Sequence, residues 1–239
     1  MILIQKEIRS FRSVERARGS ARFFKTGEGE YGEGDAFLGL TVPQSRVIAR
    51  KYEELSFENI EILLASKYHE ERLIGLLILV ERFQSGDKKM QKDIFDFYLT
   101  HLDRVNNWDL VDVSAYKIVG EYLLSHPESP LRMLDRLIAS GVLWERRVAI
   151  VASFAFIKKG DSSLTFYLSE KLFDDTEDLM HKATGWMLRE VGKRVSRDSL
   201  VKFLKKNKEK MPRTMLRYAI EHFSEKERKE WLSLKKKNG

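Results

Sequence analysis

The chain has 239 residues, no cysteine, 43% hydrophobic and 33% charged residues, and a formal net charge of +7. That length supplies a substantial core, as one large domain or an array of repeats, and the missing cysteines exclude disulfides and thiolate metal sites. The positive excess favours a polyanionic partner, chiefly nucleic acid, without requiring one.

The first 20 residues carry Lys6, Glu7, Arg9, Arg12, Glu15, Arg16 and Arg18, so no secretory h-region forms there. Residues 1–22 read as one or two amphipathic helices. A glycine-rich segment follows from Phe23 to Asp35. No Gly-Lys-Ser/Thr follows it and its acids would repel phosphate, so it reads as a plain connecting loop. Val42-Pro43 opens a helix over Gln44 to Lys51, with proline in its first turn. The longest apolar run, Leu73 to Val80 with Gly75 inside, is too short to cross a bilayer. A cytoplasmic protein with no membrane partner is expected.

From about residue 56 the chain divides into helix pairs. Ser56 caps one helix and His69 begins its partner. Aligning the starts of the second helices gives Arg72, Asp109, Arg147, Lys182 and Arg213, separated by 37, 38, 35 and 31 residues. Turn signals lie between them at Ser85-Gly86-Asp87, Ser125-His126-Pro127, Lys159-Gly160-Asp161 and Lys210-Met211-Pro212. A degenerate two-helix repeat of this length predicts an all-α, HEAT-like helical solenoid with a concave basic face. The expected organisation is a single domain over 1–239: amino-terminal helices and loop to residue 55, helix-pair repeats over 56–232, and a solvated basic tail over 233–239 that holds Lys235, Lys236 and Lys237.

One stretch organises the rest. In Asn106-Asn107-Trp108-Asp109-Leu110-Val111-Asp112, either asparagine can cap a helix, and Trp108 and Asp112 then share a face four residues apart. Trp144 pairs in the same way with Arg147, and Lys182 with Trp186. In a helical array the second helices line the inner wall, so Arg72, Arg147, Lys182, Arg213 and Arg217 would follow a phosphodiester backbone while Trp108, Trp144 and Trp186 offer flat contacts. Arg189 and Lys193 belong to a strongly basic run over Arg189–Arg217. Taken singly, each residue has a packing alternative. Trp108 would pack at its helix start, Asp112 would pair with Lys117 or an adjacent arginine on the surface, Arg147 would bridge repeats, and Trp186 beside Gly185 would mark close helix packing. Trp144 reads as core and Trp231 as a cap on the last apolar seam. The five histidines, His69, His101, His126, His181 and His222, lack ligand spacing, so neither a metal nor another cofactor is expected.

Four segments in register, Asn107–Asp112, Leu143–Arg147, His181–Lys193 and Met211–Ala219, with Phe37-Leu38-Gly39 and Pro43 ahead of them, resemble the AlkD family of DNA alkylation repair enzymes over almost the whole chain. The resemblance implies a curved stack of helix pairs around duplex DNA. It also implies a monofunctional glycosylase that hydrolyses the N-glycosidic bond of positively charged N3- or N7-alkylpurines without extruding the base. By matching motifs, Trp108, Asp112 and Trp186 would form the catalytic face and Arg147 would contact the backbone. The partner is then duplex DNA bearing alkylated purines, and the protein a monomer. Two other functions stay open: a HEAT-like module that binds DNA without cutting a bond, and a protein–protein scaffold. The glycine-rich loop is longer than the family's usual connection.

Overall fold

Apolar residues at helical spacing, preceded by short polar side chains, become helices along the whole chain. Ser13, Thr41, Ser56, Asp87, Asn107 and Ser196 each accept a backbone N–H at the first turn of the helix that follows. Such caps satisfy donors that a helix start otherwise leaves orphaned. The computed structural model describes residues 2–126 and 130–233. The expected turn residue Pro127 and the basic tail at Lys235–Lys237 lie outside them. Among the described residues there is no strand. Only an isolated bridge joins Ala36 to Tyr68, and the architecture is all-α.

The chain divides into two compact units, residues 1–118 and 119–239. The first holds α1 (Leu3–Ser10), α2 (Val14–Phe23), α3 (Val42–Lys51), α4 (Phe57–Leu64), α5 (His69–Ser85), α6 (Lys88–Thr100) and α7 (Trp108–Ala115). A π turn follows at Tyr116–Gly120. The second unit holds α8 (Glu121–Leu124), α9 (Pro130–Ile138), α10 (Leu143–Ala152), α11 (Phe154–Lys158), α12 (Ser163–Lys171), α13 (Asp178–Arg194), α14 (Arg197–Asn207), α15 (Arg213–Ala219) and α16 (Glu225–Ser233).

The repeat is more regular than the sequence reading suggested. After α5 at His69, the second helices begin at Trp108, Leu143, Asp178 and Arg213, 35 residues apart each time. The expected starts at Arg72, Arg147 and Lys182 fell several residues inside their helices, because charged first turns resemble the loops before them.

Each unit is built on one long helix. In the first, α5 packs against α3, α4, α6 and α7 and is buried from His69 to Val80 without a break. A helix apolar all round is a core helix, and the run Leu73–Val80 is of that kind. In the second unit, α13 is the hub for α10, α11, α12, α14 and α15. Gly185 sits where α13 meets α15, and a Cβ there would press on the Met215 carbonyl and on Tyr218. Trp231 packs edge-on against Phe223 and closes the last apolar cluster, as expected. Trp144, expected in the core, is half-buried on α10.

Candidate catalytic and nucleic-acid-binding residues

The start of α5 carries four consecutive buried polar residues, His69, Glu70, Glu71 and Arg72. A buried charge is costly unless it is paired, and each of these four is paired, His69 and Arg72 sharing Asp35. Glu70 accepts the backbone N–H groups of Leu38, Gly39 and Leu40 at 2.9, 2.7 and 3.3 Å. Glu71 accepts from the Gln5 amide at 2.8 Å and the Arg9 guanidinium at 2.7 Å. Arg72 donates to Asp35 at 2.6 Å and to the Ser66 carbonyl at 3.0 Å. His69 lies between two carboxylates, with Nδ1 3.2 Å from Asp35 and Nε2 2.8 Å from Asp109.

This arrangement corrects two sequence expectations. Arg72 is 3% exposed and its guanidinium donates to Asp35 and to the Ser66 carbonyl, which argues against the expected phosphate contact. The glycine-rich segment is not a plain connection. Its last residue, Asp35, joins His69, Arg72 and the Asn107 side-chain amide, which donates to it at 3.3 Å. Gly39 just beyond has φ +87°, and a Cβ there would collide with the Ser13 carbonyl, so the backbone demands glycine at this close approach.

The cluster abuts Trp108. Asn107 caps α7 by accepting the Trp108 N–H at 2.8 Å. Phe24 stacks on the indole at 5.3 Å and lies tilted against the His69 ring at 4.8 Å, and Phe37 stacks on both Phe24 and His69. Phe23, 65% exposed, meets the indole edge-on at 5.8 Å. Asp112 is half-buried one turn along α7 from Trp108. Burial pushes the Tyr98 hydroxyl above the usual phenol range and the Asp112 charge adds to the rise, against the opposing Ser114 hydrogen bond.

Burial would lower the His69 pKa. The hydrogen bonds to Asp109 and Asp35, with the Asp109 charge, outweigh it and raise the group to about 9 against the opposing Arg72 charge. Burial would raise Asp35, but the His69 hydrogen bond and the Arg72 and His69 charges hold its carboxyl below the ordinary range. Among the described residues no group of three or more His, Asp or Glu is arranged to hold a metal ion.

In the second unit, Lys182, Trp186, Arg189 and Lys193 lie along α13, and Arg213 and Arg217 along α15. Trp186 is half-buried and tilts against Phe154 at 6.1 Å. Arg147 is 5% exposed and donates to the Leu179 carbonyl at 2.8 Å. Lys182 pairs with Asp178, and Arg189 with Glu190 and Glu221. Lys193, Arg213 and Arg217 are exposed. Trp108 and Asp112 are thus neighbours on one helix, and Lys182, Trp186, Arg189 and Lys193 on another.

The residues that sequence reasoning missed are Asp35, His69, Phe24 and Phe37. One signal was available. Four polar residues, His69–Arg72, run directly into the all-round apolar stretch Leu73–Val80 of the same helix, which points to partners for them.

None of the proteins of curated function compared with the chain matches it. A solved structure described as a predicted DNA alkylation repair enzyme from Enterococcus faecalis superposes with a TM-score of 0.71 at 16% identity, covering 90% of this chain and 97% of that one. At that identity the likeness speaks for the fold, an all-helical repeat. The model of the DNA alkylation repair enzyme family matches residues 4–223, and the chain belongs to that family.

Proposed function

We propose that the protein is a monofunctional DNA glycosylase that releases positively charged N3- or N7-alkylpurines from duplex DNA without extruding the base. The observation that carries this reading, within a family of alkylation repair enzymes, is the pairing of a half-buried indole and a half-buried carboxylate one turn apart on α7, at Trp108 and Asp112.

The chemistry needs little more. An alkylated purine carries its own positive charge and departs neutral, so no general acid is required. As the bond breaks, cationic character grows on the deoxyribose, as in other glycoside hydrolyses. The Asp112 carboxylate supplies the opposing charge and orients the attacking water. At 4 Å and an effective dielectric near 20, such a charge pair is worth about 4 kcal/mol, and a preorganised group of this kind commonly contributes about 3–4 kcal/mol to barrier lowering. Trp108 presents a π face that favours the cation. The resemblance gives Arg147 a role at the DNA backbone, which its burial and its hydrogen bond to the Leu179 carbonyl oppose as they do for Arg72. Exposed Lys193, Arg213 and Arg217 are the phosphate contacts that remain after Arg72 is removed. Lys182 and Arg189 join them only by exchanging acidic partners for phosphate.

The test is incubation with methylated duplex DNA and detection of free 7-methylguanine or 3-methyladenine. Release of base supports the reading. Tight, salt-sensitive DNA binding without release would make the protein a binding module instead.

A further inference from the structure

We propose that His69, clamped between Asp35 and Asp109, is the positioning residue that fixes Trp108 for the reaction, and that the glycine-rich segment ending at Asp35 serves as its latch. The catalytic half of this inference rests on the glycosylase reading. The positional half does not.

Two independent routes run from His69 to the indole. The first passes through hydrogen bonds. His69 Nε2 holds Asp109, the next residue after Trp108, at 2.8 Å, while Nδ1 holds Asp35 at 3.2 Å. Asp35 in turn accepts from the Asn107 amide, and the Asn107 oxygen caps the Trp108 N–H. The residues on either side of Trp108 are therefore both tied to one imidazole. The second route is a stack. Phe24 lies against Trp108 on the one hand and His69 on the other, backed by Phe37. The charged groups that face His69 are Asp109 from α7, Asp35 from the loop and Arg72 from its own helix.

Both ring nitrogens must donate for the clamp to close on two carboxylates, and only the imidazolium has two N–H donors. The ring is 2% exposed, so it serves no solvent-facing purpose. α2 explains why a latch is needed. None of its residues is buried, so the helix that delivers Phe23 and Phe24 to Trp108 has no core of its own. It is fastened by the Ser13 N–H to the Leu38 carbonyl at 2.8 Å, by Arg16 to the Gly39 carbonyl at 2.6 Å, and by this aromatic stack. Releasing His69 removes one hydrogen bond from Asp35 and one ring contact from Phe24 together, and leaves Arg72 and Asn107 as the remaining ties on Asp35. A group held by a locked supporting shell loses function when that shell loosens, and a displacement of about 1 Å at a reacting centre costs on the order of 100-fold in rate.

The experiment follows two signals in the full chain. Proton–nitrogen NMR reads the Trp108 indole N–H and the His69 ring from pH 6 to 10, in the wild type, Asp35→Asn and His69→Gln. Single-turnover release of 7-methylguanine from methylated duplex is measured beside it, with duplex affinity. The wild-type indole signal is expected to move together with the His69 ring, and to do so at lower pH in Asp35→Asn. His69→Gln is expected to lower the single-turnover rate about 10- to 100-fold while duplex affinity changes less than about twofold. An indole signal that stays put while His69 titrates overturns the inference even if His69→Gln fails to fold, because the wild type and Asp35→Asn still report. A variant with wild-type rate and pH profile overturns it as well. Co-titration with no base release from the wild type at any pH supports the clamp and contradicts the glycosylase reading, so the two failures are distinguishable.

Discussion

Asp35→Asn tests the buried cluster most severely, since it changes one atom type and almost no volume. The Asp35 side chain is 5% exposed and bonds Arg72 at 2.6 Å, His69 at 3.2 Å and Asn107 at 3.3 Å. Removing its charge leaves the Arg72 guanidinium without its carboxylate and the His69 imidazolium with Asp109 alone. A buried pair broken on one side costs about 3–5 kcal/mol. A second route gives a similar figure. Raising a histidine from 6.5 to about 9 corresponds to about 3 kcal/mol of folding stability, of which Asp35 supplies part. Because the folded value is the higher one, that contribution is complete below pH 6.5 and is lost as pH rises through about 9. Urea denaturation followed by circular dichroism at pH 6.5 and at about pH 9.5 should therefore show a large loss for the variant at the lower pH. The gap should narrow at the higher pH, where His69 is neutral in both proteins. A loss below about 1 kcal/mol, typical of a surface pair, or a gap independent of pH would refute the reasoning.

Glu70→Gln removes the charge that gathers the backbone N–H groups of Leu38, Gly39 and Leu40. It should cost about 2–3 kcal/mol, read as a lowered thermal midpoint, and an unchanged midpoint would show that the turn holds itself. Arg213→Ala and Arg217→Ala, at exposed positions on α15, should each lower the salt dependence of duplex binding by about one phosphate contact. Arg72→Ala should leave that slope unchanged while destabilising the fold, and a reduced slope would return Arg72 to the DNA-contacting set.

The helices were legible because they obey local rules. Asn107 before Trp108, Ser56 before Phe57 and Pro43 in the first turn of α3 act within a few residues of where they stand. The spacing of the pairs was legible too, although the starts at Arg72, Arg147 and Lys182 were read too late. The cluster at His69 was not legible. It joins residues 24, 35, 37, 69, 72, 107 and 109, and long-range pairing of charges leaves no periodic trace. A glycine- and glutamate-rich segment such as Gly27–Asp35 has the composition of any solvated loop. Only its final aspartate separates a latch from a linker, and that distinction exists only in three dimensions. Arg72 illustrates the same limit, since an arginine at a helix start reads alike whether it faces solvent or Asp35.

Loss of base from methylated DNA is the direct test of the central claim. Wild-type protein and Asp112→Asn are each given duplex DNA alkylated at guanine N7, and free 7-methylguanine is followed under single-turnover conditions with the DNA saturated. Base release by the wild type, reduced about 100-fold or more in the variant with duplex affinity preserved, is the predicted result. Equal release by both proteins would contradict the role given to Asp112, and no release from bound DNA would contradict the glycosylase reading itself.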